Sequence, residues 1–259
     1  MSRRWPDQLW IVRHGQSSGN VARDAADAAG LGHIDIAERD VDVPLSALGE
    51  EQSRSLGRWF ADMPTDRQPT VVLSSPYLRA MQTAELVVNA GGIAPGARRV
   101  LDERLREREF GVLDRLTRAG IEERFPAQAE ARFRLGKFYH RPPGGESWCD
   151  VILRLRSVLD TVSLHHSSPG SRVLVVAHQV VVLCFRYLIE DMTESQILAI
   201  DHADDVANCG VTQYARDGSG DGSSTDGGAL KLVAYNFVAP LERQGTPVTA
   251  RPDEPVAAR

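Results

Sequence analysis

Residues 172–189 have the sequence RVLVVAHQVVVLCFRYLI, and this stretch decides the fold class. After Arg172 the chain runs through five apolar residues, as expected of a strand that is buried on both faces. The polar pair His178-Gln179 separates this run from a second apolar run, residues 180–189, which is long enough for a buried helix. The stretch therefore predicts a strand that leads into a helix, the repeating unit of a parallel α/β sheet.

The same order of strand and helix occurs twice earlier in the chain. Residues 9–12 end in the polar pair Arg13-His14, and residues 70–73 end at Ser74-Ser75. Together with the first stretch, these copies predict a three-layer α/β fold with a mainly parallel sheet between helices. We expect helices over residues 21–29, 47–60, 76–90 and 149–164, capped by Asn20, Ser46, Ser75 and Ser147, and a late hairpin of residues 211–214 and 230–237.

The length of the chain and the positions of its Gly-, Ser- and Pro-rich segments predict one domain followed by a disordered tail. The chain has 259 residues, of which 42% are hydrophobic. We expect a catalytic domain over residues 1–240, with an inserted lid at about 109–147. The segment 217–228, rich in Gly, Ser and Asp, predicts a mobile surface loop, and the polar, Pro-rich residues 241–259 predict a disordered tail.

Charge and cysteine content exclude several classes of partner. The net charge of −5 gives no global positive field for nucleic acid, and no apolar run is long enough to span a membrane. Cys149, Cys184 and Cys209 lie far apart without metal-type spacing, so we expect free thiols in a cytoplasmic protein that uses no metal or cofactor. The oligomeric state is left open, and a homodimer is compatible with the sequence.

The residues that follow the three strands point to an anion site. In open α/β sheets, ligands bind beyond the carboxyl ends of the strands. Arg13 and His14 follow the first strand, and His178 follows the last. Arg79 falls in the first turn of the helix that follows the strand of residues 70–73. Guanidinium groups and helix amides match the oxygens of a phosphate group. The sequence therefore predicts a local phosphate pocket in an acidic protein.

Four motifs then resemble one family. Residues 12–20 (VRHGQSSGN), 74–84 (SSPYLRAMQTA), 105–111 (LREREFG) and 176–178 (VAH) occur in the order found in the histidine phosphatase superfamily, the phosphoglycerate mutase-like proteins. The resemblance runs from about residue 9 to residue 214. It implies that His14 becomes phosphorylated as the nucleophile and that Glu107 is the proton donor. The resemblance also implies that Arg13, Arg79 and His178 bind the phosphoryl group.

The resemblance also suggests further binding residues. These are Gly15, Ser17, Asn20, Arg108, Lys137 and Gln179. Residues 137–147, together with Gln after the second histidine, look most like the fructose-2,6-bisphosphatase branch. Two departures weaken a transfer of that substrate, because the sugar-phosphate arginine of the branch falls on Leu183 and a binding tyrosine falls on Arg118.

The proton donor has neighbours that compete for the role. Glu107 lies in the charged run DERLREREF of residues 102–110, where Glu103 and Glu109 are alternatives. The spacing to Gly111 in the family pattern favours Glu107. The segment 20–42 adds an acidic lip that contains Asp24, Asp27, Asp35, Glu38 and Asp40, and we expect this lip to discriminate against highly charged substrates.

We therefore expect a metal-independent phosphatase that hydrolyses a small phosphorylated metabolite through a phosphohistidine. One alternative is a cofactor-dependent phosphoglycerate mutase. The short PPGG stretch at residues 142–145, where mutases carry a longer insert, favours hydrolysis. A second alternative is a module that binds phospho-ligands without turnover, against which the complete set of His14, Glu107 and His178 argues.

Overall fold

The fold is a six-stranded sheet between layers of helices. The computed structural model describes residues 4–217 and 228–250. Within them the strands are β1 Gln8–Arg13, β2 Val71–Ser74, β3 Arg98–Leu101, β4 Arg172–Ala177, β5 Val211–Arg216 and β6 Leu230–Phe237. Their order is β3-β2-β4-β1-β5-β6. The first four strands are parallel, and β5 and β6 form an antiparallel hairpin at one edge. The predicted mainly parallel α/β fold is confirmed.

Helices cover both faces of the sheet. They are α1 Ser18–Ala28, α2 Ala47–Ala61, α3 Leu78–Asn89, α4 Arg118–Arg124, α5 Pro126–Tyr139, α6 Trp148–His165, α7 Gln179–Ile189, α8 Glu194–Ala203 and α9 Ala239–Glu242. Because side chains alternate along a strand, Leu9 and Ile11 pack with α6 and α7, whereas Trp10 and Val12 pack with α2 and α3. In the described part of the chain, every helix is too short or too polar to cross a membrane.

Two helices begin where the sequence did not predict. Ser17, not Asn20, caps α1, and the two residues form a reciprocal capping box. Helix α3 begins at Leu78, with Tyr77 rather than Ser75 at its cap. Ser75 instead accepts a hydrogen bond from the Tyr77 backbone and contacts His178, which keeps it in the turn before the helix. The predicted caps Ser46 and Ser147 are confirmed.

The end of the chain also differs from the expectation. Residues 241–250 are packed against the domain, so the predicted disorder is wrong for them. Leu241 is fully buried beneath α2 and α3, and the Thr246 hydroxyl lies 2.7 Å from the Ser55 hydroxyl of α2. Residues 251–259 and most of the predicted mobile loop lie outside the described residues.

The region predicted as a lid has its own structure. Helices α4 and α5 pack with a short 3-10 turn around Leu113, Leu116 and Ile121, which form a cluster separate from the main core. Helix α5 is interrupted at Gly136, whose φ of 77° lies in the left-handed region. His140 caps the carboxyl end of this helix and is buried, with its Nε2 3.3 Å from the Gln128 side-chain oxygen.

Gly49 allows α2 to dock on the loop that carries His14. A Cβ at this position would lie 1.9 Å from the Gln16 carbonyl oxygen. We expect Gly49→Ala to lower the free energy of unfolding by about 3 kcal/mol, because backbone must move to relieve the overlap. Denaturant unfolding measures the loss, and Glu51→Ala on the exposed side of the same helix is the control. Equal stability of Gly49→Ala and the wild type would contradict the packing described.

Candidate active site

The sheet topology brings the predicted site residues together. Strands β1, β4 and β2 are neighbours, so their carboxyl ends lie side by side. The His14 backbone donates to the Ala177 carbonyl at 2.9 Å, and the Ser75 backbone donates to the Val176 carbonyl at 3.0 Å. These backbone hydrogen bonds fix the start of each loop at the end of β4 and so position His14 and Ser75. His178 follows Ala177 directly and completes the group.

The contacts of His14 define its protonation state. Its Nδ1 lies 2.7 Å from the Gly15 carbonyl, which only accepts hydrogen bonds, so Nδ1 carries the proton. Nε2 then has a lone pair, and it accepts a hydrogen bond from Arg79 Nε at 3.2 Å. The ring is fully buried. This arrangement presents Nε2 as a nucleophile whose orientation is fixed by the backbone.

His178 and Glu107 face each other beside His14. The two histidine rings lie 5.1 Å apart between centroids. His178 Nε2 is 2.8 Å from the Ser75 hydroxyl, and its Nδ1 is 3.6 Å from the Glu107 carboxylate. Both side chains are buried. The Glu107 carboxyl group and the His178 ring therefore lie together next to the nucleophile.

Of the three candidate acids, only Glu107 has this position among the described residues. Its carboxylate accepts from the Arg108 backbone at 2.7 Å and lines the cleft that leads to the site. Glu109 is exposed and accepts a hydrogen bond from the Tyr77 hydroxyl at 3.0 Å. Glu103 is exposed in a 3-10 turn. The structure thus places Glu107, as predicted, nearest to the two histidines.

An ion-pair network holds the segment that carries Glu107. Arg154 of α6 donates to the backbone carbonyls of Arg104 and Glu107 and to the Glu146 carboxylate. Glu146 also pairs with Arg106 at 2.7 Å. Because Arg154 and Glu146 are largely buried, these contacts are shielded from solvent. Glu107 is therefore positioned by the rigid helix α6 rather than by its own loop.

The two arginines of the predicted pocket differ in their contacts. Arg79 lies in the first turn of α3 and donates from Nη1 to the Asp40 carbonyl at 2.6 Å. Its guanidinium group also lies 5.0 Å above the Tyr77 ring. Arg13 is fully buried, and its Nη1 donates to the Val206 carbonyl at 2.6 Å. That contact orients the Arg13 side chain beside the His14 loop.

Three of the predicted binding residues shape the site through the backbone. The Gly15 backbone donates to the Thr83 hydroxyl at 3.0 Å, and a Cβ on Gly15 would overlap the Gly49 carbonyl. Ser17 and Asn20 bind each other in the capping box of α1, and both line the cleft. Their side chains face the cleft at the amino end of that helix, where backbone N–H groups favour an anion.

The other three predicted binding residues have partners of their own. The buried Arg108 donates to the Glu146 and His140 carbonyls. Lys137 binds Asp201 at 2.7 Å and lies 5.2 Å from the centroid of the Trp148 ring. Gln179 donates to Asp205 at 3.3 Å. These contacts fasten the lid and the loop before β5 and do not reach His14.

Several residues near His14 were not predicted as site residues. The Asn208 amide donates to the His14 carbonyl at 3.1 Å, and the Cys209 backbone donates to the Arg13 carbonyl at 3.0 Å. Tyr77 packs against His178 with ring centroids 5.2 Å apart. Burial, with Asp40 and Glu109 nearby, raises the pKa of Tyr77 well above its ordinary value, so its phenol stays protonated. Asn208 lies outside the four motifs, so no sequence signal pointed to it. Tyr77 lies within the motif of residues 74–84 but was not assigned a role.

A small cleft of about 60 Å³ leads to this group of residues. Apolar side chains from the acidic lip and the lid line its outer part. The charged side chains in its wall, among the described residues, are Arg23, Arg79, Arg115, Glu38, Asp40, Glu107 and Asp114. The predicted acidic lip therefore contributes Glu38 and Asp40 to the cleft wall.

The fold and the sequence of this chain match a known family of proteins. The model of the histidine phosphatase superfamily (branch 1) matches residues 9–223. The chain belongs to this superfamily. Its fold is similar to the native structure of mycobacterial glucosyl-3-phosphoglycerate phosphatase, with a TM-score of 0.66 and 25% identity over 91% of this chain and all of the other.

Relatives by sequence include both mutases and phosphatases. A 2,3-bisphosphoglycerate-dependent phosphoglycerate mutase of Methylorubrum populi is 29% identical over 195 residues, which cover 75% of this chain and 84% of the mutase. The 6-phosphofructo-2-kinase/fructose-2,6-bisphosphatase of Caenorhabditis elegans is 29% identical over 197 residues. That alignment covers 76% of this chain and 37% of the bifunctional protein. The resemblance found in the four motifs is thus confirmed.

Proposed function

We propose that this protein is a phosphatase that hydrolyses a small phosphate monoester through a phosphohistidine on His14. The observation that carries the proposal is the fixed lone pair of His14 Nε2, beside Arg79 and the pair of His178 and Glu107. Phosphoryl transfer requires an in-line nucleophile, positive charge at the equatorial oxygens and an acid at the leaving oxygen. These residues supply all three.

The reaction has two steps. His14 Nε2 attacks phosphorus while Glu107 donates its proton to the departing alcohol oxygen, so the P–O bond breaks as the P–N bond forms. Arg13, Arg79 and a protonated His178 balance the charge of the phosphoryl oxygens. In the second step Glu107, now a carboxylate, removes a proton from water as the water attacks phosphorus. The P–N bond breaks, and inorganic phosphate and the original His14 are regenerated.

A mutase is the second candidate, because several relatives are phosphoglycerate mutases. A mutase must keep its phosphohistidine away from water between two half-reactions. The turn at residues 142–145 is short and packs directly on Gly111, where a Cβ would lie 2.2 Å from the Pro143 carbonyl, so the cover at this point is small. Glu107 lines the cleft, so a water molecule bound in the cleft would lie near this base. Both features favour hydrolysis.

Product analysis separates the two candidates. We expect the protein to release inorganic phosphate from glycerol 3-phosphate and, less efficiently, from 3-phosphoglycerate, with or without 2,3-bisphosphoglycerate, and to keep its activity in a chelator. Side chains supply the positive charge at the phosphoryl oxygens, so removal of divalent ions should not change the rate. Formation of 2-phosphoglycerate without phosphate release would show a mutase, and loss of activity in the chelator would contradict the metal-independent mechanism. The cytoplasmic location expected from the cysteines stays a prediction.

A further inference from the structure

Asp40 binds the arginine that the proposed reaction needs. Its carboxylate lies 3.0 Å from Arg79 Nη1 through Oδ1 and 3.3 Å from Nη2 through Oδ2. The Asp40 carbonyl adds a third contact at 2.6 Å. Arg79 is almost fully buried, whereas Asp40 keeps about a third of its side chain exposed. The pair thus joins a fixed cation to a carboxylate at the mouth of the cleft.

The carboxylate of Asp40 contacts the donors that a phosphoryl group would use. A guanidinium group binds carboxylate and phosphate oxygens through the same two donors. Both Nη atoms of Arg79 contact Asp40. A phosphoryl group that binds these two atoms therefore has to displace the Asp40 carboxylate.

The backbone around Asp40 is fastened to the lid. Arg115 donates to the carbonyls of Ile36 and Glu38, and its own carbonyl accepts from the Ile34 backbone at 2.9 Å. This tether holds the segment before Asp40 against the lid, and the partly exposed Asp40 side chain lies at the mouth of the cleft. A carboxylate held there lies close to the group to which a bound phosphate is attached.

The surroundings of Asp40 are already crowded with negative charge. Burial and the nearby Asp40 raise the pKa of Asp114 above its ordinary value. Glu38 also lies in the cleft wall, and Arg115 of the same wall lies 3.8 Å from Asp114. A second anionic group attached close to the phosphate would face the Asp40 carboxylate and be repelled by it.

We propose that Asp40 is a specificity-determining residue, which holds Arg79 until a phosphate monoester displaces it and then selects the group attached to the phosphate. It favours substrates that offer hydroxyl or ammonium donors and disfavours those with a second phosphate or carboxylate. The inference rests on the proposed function, and it assigns the substrate class as polyol or amino-alcohol monophosphates.

The first test measures the competition for Arg79. We expect Asp40→Asn and Asp40→Ala to bind inorganic phosphate about tenfold more tightly than the wild type in titration calorimetry, because no carboxylate must leave. Asp42→Asn is the matched control, since Asp42 belongs to the same 3-10 turn but pairs with Arg39 at the surface. Unchanged or weaker phosphate binding by both Asp40 variants would overturn the proposal.

The second test measures selection of the attached group. Glycerol 3-phosphate carries a hydroxymethyl group at the position where 3-phosphoglycerate carries a carboxylate. In the His14→Gln background, which prevents turnover, we expect glycerol 3-phosphate to bind more tightly, and Asp40→Asn to reduce this preference about five- to tenfold. An unchanged ratio of dissociation constants would overturn the proposal. Since binding is measured without turnover, a wild-type protein that hydrolyses no ester would contradict only the phosphatase reaction.

Discussion

Replacement of His14 by alanine is expected to lower kcat by more than about 10⁴-fold, which corresponds to more than about 5 kcal/mol of barrier. His14 Nε2 is a buried nitrogen with a lone pair that lies 3.2 Å from Arg79 Nε, and its loss removes the proposed acceptor of the phosphoryl group. Phosphate release from an aryl phosphate at saturating concentration measures the effect.

Two controls separate chemistry from folding in this experiment. His202→Ala replaces an exposed histidine of α8 and should retain wild-type activity. His14→Gln keeps a polar side chain next to the Gly15 carbonyl, so its unfolding temperature should stay near that of the wild type while its activity is lost. A His14→Ala protein that is folded and active would contradict the assignment of the nucleophile.

Replacement of Glu107 by glutamine is expected to lower kcat for an alkyl phosphate by about 10²–10⁴-fold, or about 3–5 kcal/mol. An alkoxide leaves poorly without a proton, whereas an aryl oxide leaves without one. The loss in the first step should therefore be much smaller for p-nitrophenyl phosphate than for glycerol 3-phosphate. Single-turnover rates for the two esters measure this difference.

Glu109→Gln is the matched control for the acid. Glu109 lies two residues from Glu107 in the same segment but binds the Tyr77 hydroxyl. We expect its single-turnover rates to remain close to those of the wild type for both esters. If Glu109→Gln lost alkyl phosphate hydrolysis and Glu107→Gln retained it, the acid would be Glu109.

The sheet and the grouping of the candidate site residues were predictable because strand ends are local features. Apolar runs that stop at Arg13-His14, Ser74-Ser75 and His178 are visible in the sequence, and a parallel sheet must bring such ends to one edge. The adjacency of β1, β4 and β2 confirms this reasoning. Ser75 was wrongly predicted as a cap because it contacts His178 instead of starting a helix. Asn20 was placed three residues too late, since it is the third residue of the helix that Ser17 caps.

The roles of charged residues in loops were less predictable. Lys137 and Arg108 match family positions, yet the first binds Asp201 and the second binds backbone carbonyls near Glu146. Glu146 and Asp201 lie far from Arg108 and Lys137 in the sequence, so no local sequence pattern predicts these contacts. Asp40 was predicted only as one acid of a lip, because its contact with Arg79 depends on how residues 31–43 fold back over the cleft.

Isolation of the phosphorylated protein tests directly whether His14 carries the phosphoryl group. After rapid mixing with phosphate monoester and quenching in base, we expect a phosphoryl group on His14 that is stable to base and labile to acid, identified by peptide mass spectrometry. It should accumulate in Glu107→Gln treated with p-nitrophenyl phosphate, because activation of water is slowed. A phosphoryl group on another residue, or turnover with none on His14 at any time point, would contradict the account.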